Sequence, residues 1–95
     1  MRYTVRCEPY NLLEYFGDDW HESGLSEKPP DDAWEYTATL FDENGNDVDT
    51  FDSFPEGYSG SGQFITLAQA EKSCREIERD VAAGNASRWF TLLRR

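Results

Sequence analysis

Residues 34–54 read WEYTATLFDENGNDVDTFDSF. Apolar and polar side chains alternate on both sides of residues 42–45, which is the pattern of two antiparallel strands joined by a turn. The sequence of the turn suits a type I turn followed by Gly45 in the left-handed region. We therefore predict a β-hairpin with a three-residue loop and a bulge.

The turn type determines which side chains face the core. A two-residue Asn-Gly turn is the alternative, and it would place Asp49 opposite Leu40. Because a one-residue slip moves side chains across the sheet, we prefer the three-residue loop. In that register Phe41 and Phe51 fall on the polar face, either as exposed aromatic contacts or as a partial second buried side. The preferred register pairs Asp42 with Asn46, Leu40 with Val48 and Ala38 with Thr50, and its apolar face carries Trp34, Tyr36, Ala38, Leu40, Val48 and Phe54.

The chain before the hairpin begins with a strand and continues as an acidic loop. Residues 2–8 alternate with period two, which predicts a strand that Pro9 ends. Residues 10–16 are apolar but short, and their pattern fits one helical turn as well as a packed loop. Residues 17–32 are polar, acidic and interrupted by glycine and proline, which predicts a long loop.

A connector and a helix follow the hairpin. The composition of residues 55–63 predicts a flexible connector. Thr66 and Gln69 have the spacing of a capping box, and Gly84 with Asn85 supplies a C-terminal stop. Between these signals, an apolar stripe at helical spacing joins Leu67, Ala70, Cys74, Ile77 and Val81.

The last apolar segment completes the predicted architecture. Residues 88–93 are apolar enough to pack, and we expect a final strand there, with a short helix as the alternative. The order of elements is then β, loop, β-hairpin, α and β. We predict a single α+β domain over residues 1–95, with a small antiparallel sheet of three to four strands and one amphipathic helix packed on its apolar face.

The formal net charge of −10 is unevenly distributed along the chain. Residues 8–56 contain fifteen acids against Lys28 alone, whereas the segments on either side are each net basic by two charges. Such an acidic surface repels nucleic acid and anionic membranes, and it attracts basic partners. We therefore expect no direct binding to nucleic acid or to membranes.

The cellular compartment is predicted from apolar segments and cysteine usage. The sequence contains no run of 18 apolar residues and no apolar signal core at its N-terminus, so we expect a cytoplasmic protein. Cys7 and Cys74 are too few for a disulfide framework. We expect two reduced, buried thiols, with a single bridge as the alternative.

Catalytic and metal-binding motifs are missing from the sequence. His21 is the only histidine, and it lies in the polar loop, where exposure to solvent is expected. Residues 42–47 resemble the start of a calcium loop but lack the glycine and glutamate at the required positions. The glycine-rich residues 57–62 lack the lysine and the spacing of a phosphate-binding loop. We predict a protein that is not an enzyme and holds neither a metal nor a cofactor.

The acidic run is the remaining functional candidate. One interpretation is a solvated face that serves only solubility. The other is imitation of nucleic acid, in which carboxylates enter the basic cleft of another protein and aromatic side chains anchor the contact. The predicted partner-binding residues are Asp18, Asp19, Trp20, Glu22, Glu27, Asp31, Asp32, Phe41, Asp42, Glu43, Asp47, Asp49, Phe51 and Asp52.

In size and charge alone, the chain is similar to small acidic viral proteins that inhibit bacterial defence, including anti-restriction and anti-CRISPR proteins. The similarity implies an inhibitor of a nucleic-acid-binding enzyme or complex. The alternative function is a non-enzymatic adaptor or structural module that uses an exposed aromatic patch with Phe41 or Phe51. In that case the acidic charge serves solubility.

Overall fold

The computed structural model describes residues 2–25, 27–54 and 64–94, in which a three-stranded antiparallel sheet is combined with two α-helices. The sheet order is β1-β2-β3, so β2 is central and the other two strands are edges. The coarse prediction of a small α+β protein with an antiparallel sheet is confirmed, whereas the predicted connector at residues 55–63 lies outside the described residues. The elements are β1 (Thr4–Asn11), α1 (Leu12–Phe16), β2 (Trp34–Phe41), β3 (Asp47–Asp52) and α2 (Leu67–Ala82), with 3₁₀ helices at Gly17–Ser23, Ala86–Arg88 and Thr91–Arg94.

Strand β1 continues through Pro9, so the prediction that this residue ends the strand is wrong. Pro9 pairs with Tyr36 on one side, and an edge strand tolerates proline because its other side needs no N–H donor. Helix α1 follows at Leu12. Asn11 caps it, since the Asn11 side chain accepts a hydrogen bond from the Glu14 N–H at 3.0 Å. Residues 10–16 thus complete the strand and form one short helix.

The hairpin turn has the predicted three-residue form. The Asp42 N–H donates to the Asn46 carbonyl at 3.0 Å, and Gly45 adopts a φ of +82°. A positive φ is costly for residues with a Cβ atom, which explains the glycine at this position.

The strand register beyond the turn differs from the prediction. Leu40 pairs with Asp49 and Ala38 pairs with Phe51, because the ladder shifts at a bulge that leaves Val48 without a partner on β2. Both predicted pairs beyond the turn are therefore wrong. The bulge turns Phe51 toward the core face, and burial of a phenylalanine side chain contributes about 1.5–3 kcal/mol.

The core lies between one face of the sheet, helix α2 and the C-terminal segment. Cys7 pairs with Ala38 on this face of the sheet, and it forms a disulfide with Cys74 of α2, with the two Cα atoms 5.4 Å apart. The prediction of two reduced thiols is therefore wrong, because both sulfur atoms meet at the same helix–sheet interface. The buried cluster beside the disulfide contains Ala38, Leu40, Ile77, Val81, Ala86 and Phe90.

Helix α2 has the predicted boundary signals at both ends. The Thr66 hydroxyl accepts a hydrogen bond from the Gln69 N–H at 3.2 Å, and the Gln69 side chain accepts one from the Thr66 N–H at 2.8 Å. At the C-terminal end, Gly84 adopts a φ of +82° and the Asn85 N–H donates to the Asp80 carbonyl at 2.8 Å. No helix in the described part of the chain is both long enough and apolar enough to cross a membrane.

The C-terminal segment does not form the predicted strand over residues 88–93. It forms 3₁₀ turns instead, and the Phe90 side chain is fully buried. The Asp80 carboxylate accepts hydrogen bonds from the Trp89 indole N–H at 2.7 Å and from the Arg88 guanidinium at 3.3 Å. These bonds tie the segment to α2.

Candidate partner-binding surface

The fold distributes the predicted acids over two ends of the sheet and one of its edges. The turn between β2 and β3 lies at one end, and the connection between β1 and β2 lies at the other. Strand β3 is an edge strand that runs between these ends. Since β2 has eight residues, the two ends are roughly 26 Å apart. The acids therefore form two groups that β3 connects.

The first group, here called the acidic loop, lies between β1 and β2. A hydrogen bond of 2.9 Å from the Asn11 amide to the Asp31 carbonyl ties this loop to the end of β1. All six carboxylates of the loop are exposed, and none forms a hydrogen bond or an ion pair with another described residue. The six residues are Asp18, Asp19, Glu22, Glu27, Asp31 and Asp32.

The second group, here called the acidic edge, consists of Asp42, Glu43, Asp47, Asp49 and Asp52. One of these carboxylates stabilises the hairpin turn, and a second bonds the turn to the N-terminal segment. The Asp42 carboxylate accepts hydrogen bonds from the N–H groups of Asn46 at 3.0 Å and Asn44 at 2.8 Å, and these bonds lower its pKa. The Glu43 carboxylate accepts a hydrogen bond from the backbone N–H of Arg2 at 2.8 Å.

The three acids of strand β3 point to different sides of the sheet. Asp47 is exposed and has no partner within the described residues. Asp49 lies opposite the buried Leu40, and its carboxylate accepts hydrogen bonds from its neighbour's N–H at 2.9 Å and from the Leu92 N–H at 3.4 Å. Asp52 lies on the outer face, which is the face of the sheet turned away from α2. Of these three acids, Asp47 alone is left without an intramolecular bond.

The three predicted aromatic anchors are not gathered into one patch. Trp20 is half-buried beside His21, with ring centroids 5.6 Å apart. Phe41 lies on the outer face with the Arg6 guanidinium 5.4 Å above its ring. Phe51 lies on the core face against Phe90, at a centroid distance of 5.2 Å. The prediction that Phe51 faces the polar side is wrong, because the bulge at Val48 reverses its direction.

The structure assembles a different aromatic group that the sequence did not predict. The ring of Tyr15 lies 5.3 Å from that of Tyr10 and 5.1 Å from that of Phe16, which in turn lies 5.8 Å from Phe54. Together with Asp52, these rings line a cavity of about 310 Å³, here called the aromatic cavity. The three aromatic residues within positions 10–16 could have indicated part of this group. Residues 52–54 complete it, but they are far from the other three in the sequence.

The Asp52 carboxylate is held in place by several donors. It accepts hydrogen bonds from the Tyr10 hydroxyl at 2.7 Å, the Thr37 hydroxyl at 2.8 Å and the Phe54 N–H at 2.7 Å. Burial, the hydrogen bond to Asp52 and the charge of nearby Glu35 all raise the pKa of Tyr10, so its hydroxyl keeps its proton and remains a donor.

Glu35 is a buried acid that the charge pattern did not distinguish from its neighbours. Its side chain is on the outer face, yet the residue is only 6% exposed, and its carboxylate accepts a hydrogen bond from the Ser53 hydroxyl. Burial raises the pKa of Glu35, and the charge of Asp52 adds to this effect, whereas the Ser53 hydrogen bond opposes it.

The ion pairs of the described residues do not involve the predicted acids. Between described residues, the ion pairs are Arg6–Glu8 at 3.6 Å, Arg75–Glu71 at 3.8 Å and Arg88–Asp80 at 3.3 Å, and none of them uses an acid of the loop or the edge. Within the same residues, no group of three potential ligands is arranged to hold a metal ion.

Comparisons with protein-family models, with curated proteins and with solved structures found no match for this chain. The function is therefore argued from the chemistry of its surface. That surface combines exposed carboxylates without partners and an aromatic cavity that contains an oriented carboxylate. Both features attract cations.

Proposed function

We propose that the chain is a protein inhibitor that occupies a basic nucleic-acid-binding site of another protein. The observation that carries this proposal is that seven of the eleven carboxylates in the acidic loop and the acidic edge are exposed and lack a partner among the described residues. Its partner is a basic protein, such as a nucleic-acid-binding enzyme or complex of the kind that viral anti-restriction and anti-CRISPR proteins inhibit.

The absence of nearby bases in the sequence supports the proposal. No lysine or arginine occurs between Lys28 and Lys72, a stretch that includes the whole acidic edge. The described ion pairs of Arg75 and Arg88 are made with acids of α2, which leaves the charge of the acidic groups unneutralised by them. An uncompensated potential of one sign accelerates and orients the approach of an oppositely charged partner.

The clustering of the available charge also supports the proposal. Six of the seven exposed carboxylates without a described partner lie in the acidic loop at one end of the sheet. A groove lined with lysine and arginine would therefore meet several charges of one sign at once.

The proposal is tested by binding to a panel of purified nucleases and other nucleic-acid-binding proteins. We expect at least one member to bind, with affinity falling roughly 100-fold or more between about 50 mM and about 200 mM NaCl, and with duplex DNA or RNA competing. Binding that is indifferent to both salt and nucleic acid would contradict the proposal.

A matched pair of variants separates a specific surface from net charge. We expect the loop variant to lose binding and the control variant to retain it, although both lose three negative charges. If the two variants weaken binding equally, the acidic loop has no specific role and the proposal fails. The loop variant is Asp18→Asn, Asp19→Asn and Glu22→Gln, and the control is Glu8→Gln, Glu71→Gln and Glu78→Gln.

A second candidate function is an adaptor module that binds through aromatic side chains. Phe41 and Phe51 do not support it as a pair, because they lie on opposite faces of the sheet. Tyr15 does support it, since this ring is 70% exposed and belongs to the aromatic cavity. Binding that is lost on Tyr15→Ala but unaffected by salt would favour this function over the first.

A further inference from the structure

The aromatic cavity has the composition of a site for a cationic side chain. Tyr10, Tyr15, Phe16 and Phe54 supply four rings around one opening, and Asp52 supplies the negative charge. The face of an aromatic ring carries negative potential and attracts a cation placed within about 6 Å of its centre. Rings and carboxylate in the same cavity therefore favour the same kind of ligand.

The geometry of Asp52 indicates how such a ligand would be bound. One carboxylate oxygen accepts from the Tyr10 hydroxyl and the Phe54 N–H, whereas the other accepts from the Thr37 hydroxyl. A carboxylate oxygen has two lone pairs, so the second oxygen retains capacity for one further donor. The carboxylate is thus oriented before any ligand arrives, and the oxygen bonded to Thr37 is the one that can accept a further N–H.

The size of the cavity suits a single side chain. Its volume of about 310 Å³ is at the lower limit of pockets for small molecules, which range from roughly 300 to 1,000 Å³. A neighbouring cavity of about 330 Å³ shares Tyr10 and Tyr15 and adds the carboxylate of Glu14. The exposed ring of Tyr15 therefore separates two openings that each contain an acid.

We propose that the aromatic cavity binds an arginine side chain of the partner, with the guanidinium against the rings and one N–H donated to Asp52. Arginine suits the site better than lysine because its planar guanidinium stacks on rings and is more weakly hydrated than an ammonium group. The assignment of this arginine to a basic partner rests on the proposed function. The ability of the cavity to bind a guanidinium is independent of the proposed function.

The inference is tested on the isolated protein with acetyl-arginine amide as the probe. Backbone amide and tyrosine ring resonances are followed by NMR during titration, and acetyl-citrulline amide serves as the uncharged isostere. We expect saturable shifts at residues 10–16 and 52–54 with the arginine probe, and binding of the citrulline probe that is weaker by roughly fivefold or more. Equal binding of the two probes, or shifts elsewhere only, overturns the inference.

Two matched pairs of variants test the groups involved. Asp52→Asn keeps an acceptor oxygen but removes the charge, and we expect it to weaken arginine binding roughly fivefold to tenfold. Asp47→Asn, on the same strand and without a partner in the described structure, is expected to change it less than about twofold. Tyr15→Ala is expected to weaken binding and Tyr15→Phe to preserve it. Equal effects within either pair contradict the inference.

The outcome separates this inference from the proposed function. If the arginine probe does not bind but the loop variant still loses a nucleic-acid-binding partner, the arginine site alone is wrong. If the probe binds as expected but no basic protein does, the cavity is correctly assigned and the inhibitor proposal is wrong.

Discussion

The two faces of the sheet use similar side chains for different purposes. On the core face, Phe51 packs against Phe90, and the Cys7–Cys74 disulfide joins the sheet to α2. On the outer face, Phe41 lies beneath an arginine side chain. Stability is therefore concentrated on the face that α2 covers, and the proposed arginine site lies on the face that it leaves open. Substitutions on the core face should change the free energy of unfolding most.

The largest expected effect comes from the disulfide on the core face. The bridge joins cysteines 67 residues apart, and in the chain-entropy account a loop of this length contributes about 4 kcal/mol. We expect the double variant Cys7→Ala and Cys74→Ala to lose about this much free energy of unfolding. Urea denaturation followed by circular dichroism measures it. Wild-type protein treated with a reductant should match the variant, and an unchanged midpoint in both would show that the bridge does not stabilise the fold.

The next largest effect distinguishes the two phenylalanines of the hairpin. We expect Phe51→Ala to lower the free energy of unfolding by about 3–4 kcal/mol, because the substitution leaves a cavity against Phe90. Phe41→Ala removes the same ring from the outer face and should cost about 1 kcal/mol or less. Chemical denaturation of both variants gives the comparison directly. Equal losses would mean that the bulged register is wrong.

The parts of the fold that depend on local contacts were predictable from the sequence. The turn needs Gly45 at a positive φ, and the helix start needs only Thr66 and Gln69, three residues apart. In these cases the sequence pattern and the hydrogen bonds that stabilise the structure lie within the same few residues.

The parts that depend on distant partners were not predictable in the same way. The bulge at Val48 brings Phe51 onto Phe90, which is close to the C-terminus, and no pattern within the hairpin indicates that contact. The disulfide likewise depends on a helix and a strand meeting at one position. A residue-by-residue periodicity contains no information on such encounters.

The candidate site also contains features that the sequence predicts and features that depend on the folded structure. The acids of the loop were identified from composition, whereas no sequence pattern indicated that Asp42 and Asp52 accept intramolecular hydrogen bonds. The aromatic cavity was not predicted because its rings come from β1, from α1 and from Phe54, which follows β3. Charge is visible in a sequence, but its availability depends on the folded structure.

The smallest expected effect concerns Glu35 on the outer face. Burial raises the pKa of Glu35 in the folded protein, so the folded state binds its proton more tightly than the unfolded state does. The free energy of unfolding should therefore fall as pH rises from the unfolded pKa through the folded pKa, and it should stay lower above that range. Glu35→Gln removes this loss while its amide oxygen can still accept from the Ser53 hydroxyl.

We expect the Glu35→Gln variant to match the wild type in acid and to be more stable by about 1 kcal/mol near neutral pH. Urea denaturation across the acidic to neutral range measures the difference. Glu8→Gln, an exposed position on the same face, controls for the loss of one negative charge. A difference that is constant with pH, or that is the same for Glu8→Gln, would show that burial of the Glu35 carboxylate has no energetic consequence. In that case a negative charge at the buried position 35 would cost no more free energy than one at the exposed position 8.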